Sequence, residues 1–488
     1  MQTVSESIDQ KRVQVSSNAL RQKKSDLGQF LTPMSIADFM ASMLPFVAGK
    51  PVKLLDPGAG IGSLSAAVLG ELEGKGYKES CSVKAYELDE VLHKDLDATL
   101  SKFSFSNSEV LGGDFIEHAS KELKLGGSRF THSIINPPYK KIGVNSQYRQ
   151  LLSSAGIETV NLYSGFVAIA LALLEPNGHL VAIIPRSFCN GPYYRPFRNY
   201  ILENSAIHKI HIFESRNKAF TDDDVLQENI IIHLEKGGKQ GDVEISSSSD
   251  AFFDDLNVNT LPFRKVVPGG NHQNFFHIPL TGDVNDSALP KKATYSLEEL
   301  RIQVSTGPVV DFRMKEFLHK MPTPNSVPLL YPVHFEGCET VWPKPDIKKY
   351  NAISLNDNTQ KWLYPNAHYA VVRRFSSKEE KRRINASVFQ PEKANGANFV
   401  GFENHLNVFH QKKNGLDPDV ASGLTVYLNS TPVDRYFRCF NGHTQVNVTD
   451  LKHMKYPSME ALIILGKWQQ KSSDICQESI DQKIKEIL

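Results

Sequence analysis

The chain has 488 residues, enough for two or three domains with their own cores, and 40% hydrophobic with 22% charged residues is an ordinary globular composition. A formal net charge of +1 neither demands nor excludes a polyanionic partner, because binding depends on where Lys and Arg sit. The five cysteines (Cys81, Cys189, Cys338, Cys439, Cys476) are scattered and form no C-x-x-C pair, so they support neither a disulfide framework nor a zinc site, and no metal is expected. They fit a reducing cytoplasm; the polar N-terminus and the lack of any run of ~18 apolar residues argue against export and membrane insertion.

Residues 1–27 are polar and carry Lys11, Arg12, Arg21, Lys23 and Lys24, the pattern of a solvated arm or helix. In the run from Gly28 to Pro33, Thr32 suits an N-cap and Pro33 the first helical position. Ile36, Phe39, Met40, Met43 and Val47 then recur at helical spacing as a core-facing stripe, which leaves ligand contacts to the loop before it.

Val52 to Leu55 reads as a buried strand that runs into Asp56-Pro57-Gly58-Ala59-Gly60-Ile61-Gly62 and a helix from Ser65 to Leu72. Strand, glycine turn and helix form a nucleotide-binding arrangement, although the same run can be a purely structural turn. Asp56 before the turn would repel a pyrophosphate and can pair with a cationic α-amino group, which favours S-adenosylmethionine over a dinucleotide. A second strand, Ser82 to Tyr86, ends at Glu87, placed to take both hydroxyls of a ribose. A third begins at Val110 and leads to Asp114 and Phe115, which can hold and cover an adenine ring or serve as a turn carboxylate and a core aromatic.

The fourth strand, Ser133 to Ile135, delivers Asn136-Pro137-Pro138-Tyr139 to the end of a sheet, where α/β proteins bind their ligands. The Asn136 side chain and the Pro137 carbonyl offer two acceptors beside the flat ring of Tyr139, a set suited to a planar group bearing -NH2. The same four residues also make a stiff turn. Leu180 to Ile184, Ile207 to Phe213 and Asn229 to Leu234 supply three more strands, with Phe220 in the loop between the last two. Phe220 is either a hydrophobic plug or a second stacking surface opposite Tyr139.

With these blocks in this order, the sequence resembles the gamma class of S-adenosylmethionine-dependent DNA amino-methyltransferases, the TaqI-like type II modification enzymes, from about residue 21 to 236. The resemblance implies a Rossmann-like α/β fold with a seven-stranded sheet over 28–242, a connecting segment over 243–300, and a mixed α+β target-recognition domain over 301–488. It implies that Phe30, Thr32, Pro33, Asp56, Gly58, Gly60 and Gly62 hold the methionine end of the cofactor, Glu87 the ribose, and Asp114 with Phe115 the adenine. It also implies that Asn136, Pro137 and Tyr139 receive a base flipped from double-stranded DNA, with Phe220 stacking on it. Adenine is favoured over cytosine because cytosine enzymes of this kind more often have Ser at the Asn136 position. Gly58-Ala59-Gly60 stands where many members have Ala-Cys-Gly, a change that keeps the residues small.

Beyond Gly237, Pro and Gly punctuate the chain and long helical periodicity is scarce until about Ser458. Val304 to Val310 and Asn441 to Asn447, the latter with His443 and Gln445, resemble the opening and closing segments of recognition domains in the same family. Arg373, Arg374, Lys381, Arg382 and Arg383 form the densest basic cluster, a phosphate-binding patch or a solvated face. The rival readings are an RNA adenine methyltransferase, a protein glutamine methyltransferase, whose carboxamide presents the same -NH2, and a DNA-binding protein without catalysis. The large C-terminal region disfavours the glutamine reading, and the complete set of cofactor and target residues disfavours the loss of catalysis. The chain has no paired-carboxylate nuclease signature, so a cognate restriction endonuclease would be a separate protein.

Overall fold

The computed structural model describes residues 3–18, 31–77, 80–127, 129–214, 228–269, 273–279, 289–472 and 475–488. The chain divides into two compact units, Met1–Gly282 and Asp283–Leu488.

The first unit is built on a parallel-centred sheet. Its strands are β1 (Val52–Pro57), β2 (Cys81–Glu87), β3 (Ser106–Gly112), β4 (Phe130–Ile135), β5 (Leu174–Pro185), β6 (Ser205–Phe213), β7 (Asn229–Lys236), β8 (Val243–Ser248) and β9 (Asn257–Leu261), in the order β3-β2-β1-β4-β5-β7-β6-β8-β9. β1 to β5 run parallel, and β7 inserts antiparallel between β5 and β6. Leu54 joins Val83, Ile134 and Val181 in the core on one face, while Leu55 points to the other face, equally without exposure. Burial on both sides is what an inner parallel strand requires, and it explains the continuous apolar runs. Helices α1 (Val4–Asn18), α2 (Met34–Ser42), α3 (Ser63–Gly74) and α4 (His93–Leu100) contribute to the first core, which includes Ile8, Met40, Val68 and Leu96. Helices α5 (Phe115–Lys124), α6 (Gln147–Ser154), α7 (Leu162–Leu173) and α8 (Arg195–Asn204) complete the set flanking the sheet.

Two expectations, the strand count and the cap of α2, are corrected here. Among the described residues the sheet has nine strands, because β8 pairs parallel with β6 and β9 antiparallel with β8, inside the stretch expected to connect two domains. β8 is rich in serine, yet Ser246 and Ser248 are buried because their hydroxyls bond Nδ1 and Nε2 of His211 at 2.9 and 3.2 Å. Of the arm and the helix expected at the N-terminus, Val4–Asn18 form the helix, α1, and Ile8 lies in the core. Thr32 is not the N-cap of α2: Pro33 occupies that position and makes no side-chain cap, and the Met34 N-H is met at 3.1 Å by Asp9 Oδ1 of α1.

The second unit holds two sheets of short strands. One runs Gln303–Thr306, Leu406–His410, Tyr369–Arg373, Ala386–Phe389, Glu339–Thr340, Phe335–Glu336; the other runs Leu318–His319, Ala352–Ser354, Ser326–Leu330, Phe399–Phe402, Tyr364–Pro365. Helices α9 (Pro418–Leu428) and α10 (Thr431–Phe440) precede the helical stretch expected from Ser458, which is α12 (Met459–Lys471) after the short α11 (Val448–His453). A β-carbon on Gly423 of α9 would collide with the Leu462 backbone of α12, and one on Gly466 with Asp419, so glycine is what lets these helices touch. Much of this unit is held by buried polar side chains. Asn429 forks onto the backbone of Ala386 through Nδ2 and Oδ1 at 2.7 and 2.9 Å.

Candidate active site

At the carboxyl ends of β1, β2 and β4 lies a cavity of about 450 Å³, within the range of cofactor clefts. Thr32, Gly58, Gly60, Glu87, Asp114, Phe115 and Asn136 all line it, so residues spread over about a hundred positions of sequence meet at one place.

The glycine turn is shaped by left-handed backbone. Gly58 and Gly60 have φ of 79° and 59°, and a β-carbon on Gly60 would stand 2.7 Å from Leu31. The Gly60 N-H donates to Glu87 Oε2 at 2.7 Å, and the Asp89 N-H donates to Oε1 at 2.8 Å. These two bonds aim the Glu87 carboxylate. Burial raises Glu87 above the ordinary carboxylate range, against the pull of those N-H groups.

Asp56 does not line the cavity. It is fully buried, and its Oδ2 accepts from Ser65 at 2.6 Å while Oδ1 has no protein partner. Burial pushes its carboxyl up to about 7, opposed by the Ser65 hydrogen bonds and assisted by the nearby charge of Glu87. Gly62 and Pro33 also lie outside the lining. Gly62 opens α3 at φ 87° so that the backbone can pass Leu96, whose side chain a β-carbon would approach to 2.9 Å. Its role here is packing.

Asp114 caps α5, accepting from the Glu117 N-H at 3.0 Å, and its other oxygen accepts from the Tyr148 hydroxyl at 2.7 Å. Phe115 packs its ring 5.1 Å from Phe166 and 5.2 Å from Tyr86 at the cavity wall.

Asn136 is held from two sides. Its Nδ2 donates to Thr32 Oγ1 at 3.0 Å, and its Oδ1 accepts from the Tyr139 hydroxyl at 3.1 Å. The same hydroxyl lies 3.2 Å from the Ile183 carbonyl, and burial holds the phenol protonated, well above its ordinary range. Pro137 is buried, and Pro138 rather than Pro137 or Tyr139 lines the cavity. Phe30 and Phe220 lie outside the described residues.

This geometry belongs to a chain that is 50% identical over its whole length, and over 99% of the relative, to the type II methyltransferase M.BsuBI of Bacillus subtilis. It is 41% identical to the type II methyltransferase M.PstI of Providencia stuartii, covering 99% of this chain and 96% of the relative. Residues 8–220 match the family of Eco57I restriction-modification methylases. The chain belongs to the type II methyltransferases of restriction-modification systems. It is an S-adenosylmethionine-dependent DNA methyltransferase. Its fold is similar to that of a DrdV–DNA complex solved by cryo-electron microscopy, with TM-score 0.53 and 12% identity over 95% of this chain and 59% of that one.

The cavity of this methyltransferase fits that cofactor chemically. Glu87 of the lining is raised by burial, and Ser63 Oγ, also of the lining, is buried without a protein partner. A ligand carrying an ammonium and a sulfonium relieves such a site, whereas a pyrophosphate would worsen it. Among the described residues no helix is long and apolar enough to cross a membrane and no cluster of His, Cys, Asp and Glu could hold a metal ion.

Several lining residues escaped the sequence reading: Tyr148, Ser146, Ile142, Leu162 and Phe166. Tyr148 follows Ser146, an N-cap residue for α6 whose position could have signalled a helix beside the site.

The basic cluster of the second unit is corrected in part. Arg383 is 2% exposed and donates to Ser376, Asn441 and the His443 carbonyl, so it braces the fold and offers nothing to a phosphate. Arg373 is forked onto Glu380 at 2.9 and 3.3 Å, and Arg382 donates to Thr431 at 3.0 Å. Lys381 is exposed, and Arg374, His443 and Gln445 are partly exposed.

Proposed function

We propose that this methyltransferase transfers a methyl group to adenine-N6 within a short sequence of double-stranded DNA, as the modification component of a restriction-modification system. The observation that carries this reading is the fixed amide of Asn136 at the end of β4, beside the cofactor cavity.

When bound, S-adenosylmethionine supplies a sulfonium methyl group. Glu87 would hold the ribose, Asp114 and Phe115 the adenine, and the Gly58–Gly60 turn the methionine end, with Asp56 buried behind that turn. The Thr32 bond on Nδ2 fixes the Asn136 amide, so a target amine can donate to Oδ1 in exchange for the Tyr139 hydroxyl, with the Pro137 carbonyl as second acceptor. Accepting from the amine raises electron density on its nitrogen and aims its lone pair into the cavity. No separate general base is needed, and well-oriented reactants can lower the barrier by ~7 to 11 kcal/mol. Extruding the base costs a few kcal/mol, which stacking on Tyr139 would largely offset. Asn rather than Ser at position 136 supports adenine over cytosine.

The Asp283–Leu488 unit would read the DNA sequence, the protein would act in the cytoplasm, and a cognate endonuclease would be a separate chain. Expression in a host lacking adenine methylation, followed by single-molecule mapping of modified bases, tests the reading. Methyl-adenine confined to one short motif is the expected result; unmodified DNA from folded, cofactor-binding protein would overturn it.

A further inference from the structure

In the second unit the segments after Val304 and after Asn441 converge on one place. The Gly307 N-H donates to the Leu406 carbonyl at 2.8 Å, the Arg374 N-H to the His405 carbonyl at 2.8 Å, and the Val446 N-H to the Arg374 carbonyl at 2.7 Å. At this junction Glu403 has no exposure, yet it carries a carboxylate. Its oxygens accept from the His405 N-H at 2.9 Å and lie 2.6 and 2.8 Å from His405 Nδ1.

Closing the turn needs only the backbone bond. The two contacts to Nδ1 go further, fixing the ring so that Nε2 points away from Glu403 on a side chain that is 44% exposed. Phe375 flanks the imidazole at 4.9 Å between ring centres, and the Arg374 guanidinium lies 5.6 Å from the Phe375 ring, steadied by a 3.1 Å bond to the Asn404 carbonyl. An oriented imidazole and an oriented guanidinium thus lie beside one aromatic ring, an arrangement suited to nucleotides, which present hydrogen-bonding edges and phosphate oxygens.

We propose that the Glu403–His405 pair, with Arg374 across Phe375, is a DNA-contacting head of this unit, in which His405 Nε2 and the Arg374 guanidinium touch a base edge or phosphate of the duplex and Glu403 is a positioning residue. This rests on the reading that Asp283–Leu488 binds DNA. The test uses the full chain with a duplex carrying the mapped methylation motif and a scrambled duplex, their affinities measured over a salt series for wild type, His405→Phe and Arg374→Met. S-adenosylmethionine affinity and thermal melting check integrity, and Arg374→Met leaves Glu403 paired should His405→Phe disturb the turn.

The expected result is motif affinity at least about tenfold weaker with cofactor affinity unchanged. Loss confined to the motif duplex identifies a base contact; equal loss on both duplexes with a salt slope smaller by about one identifies a phosphate contact. Unchanged affinities and slope in both variants would overturn the proposal. A wild type that binds neither duplex would instead remove the reading of the unit on which it rests.

Discussion

The sheet of the first unit and the two small sheets of the second are stabilised by different means. β5 runs 12 residues and is buried on both faces from Leu180 to Pro185, whereas the described strands after residue 283 are at most five residues long. What the second unit lacks in continuous apolar strand it makes up with polar hubs. Asn351, 1% exposed, donates from Nδ2 to the carbonyls of Lys320 and Lys344 at 2.8 Å each, and accepts at Oδ1 from the Lys344 N-H at 2.7 Å and His334 Nε2 at 3.0 Å. A fold held by area tolerates gradual change; one held by such hubs depends on single atoms.

The largest expected effect separates chemistry from folding. Asn136→Ala should lower methyl transfer by at least about 10³-fold, by analogy with removing a preorganised hydrogen-bonding group, and leave cofactor affinity unaltered. Steady-state rates beside calorimetric titration measure both, and full activity in the variant would end the proposed role.

Asn351→Leu should destabilise the second unit by about 3 kcal/mol or more, because it strands several buried backbone groups. Urea unfolding followed alongside cofactor binding should show one transition move to lower urea while the first unit still binds S-adenosylmethionine. A single unshifted transition would contradict the hub argument.

A fully buried histidine of the first unit, His211, gives a pH test. Burial depresses His211 to about 3, so the unfolded chain binds the proton more readily between that value and about 6.5. Its neutral state therefore favours folding fully above about pH 6.5, and that contribution is lost as pH falls toward 3, at up to about 1.4 kcal/mol per pH unit. His211→Gln should have a shallower acid limb than wild type in melting curves; parallel limbs would contradict it.

The smallest effect sharpens the site. Tyr148→Phe removes the hydroxyl from Asp114 and should weaken cofactor binding by about 1 kcal/mol, roughly fivefold, with the rate at saturating cofactor maintained. A changed saturated rate with unchanged binding would assign Tyr148 elsewhere.

The same contrast explains what could be read from sequence. β1, β4, β5 and β7 announce themselves as apolar runs because both their faces are covered, and Gly60, Glu87, Asp114 and Asn136 follow strand ends, where topology brings them to one cavity. β8 is hidden because its serines are buried through His211, a partner distant in sequence. Tyr148 and Phe166 reach the cavity only once α6 and α7 are folded back, which no local pattern states. Arg383 looked like a surface charge because counting basic residues does not reveal that Ser376, Asn441 and His443 enclose it.

Asp9 holds the first turn of α2 through the Met34 N-H, and two residues earlier Thr32 holds the amide of Asn136. A recombinant fragment that begins just before Leu31 would carry every lining residue of the cavity and still lack Asp9, the clamp behind the angle of its key acceptor. Affinity tags therefore belong at the far terminus, and limited proteolysis before α2 should reduce turnover without cutting any residue of the cavity.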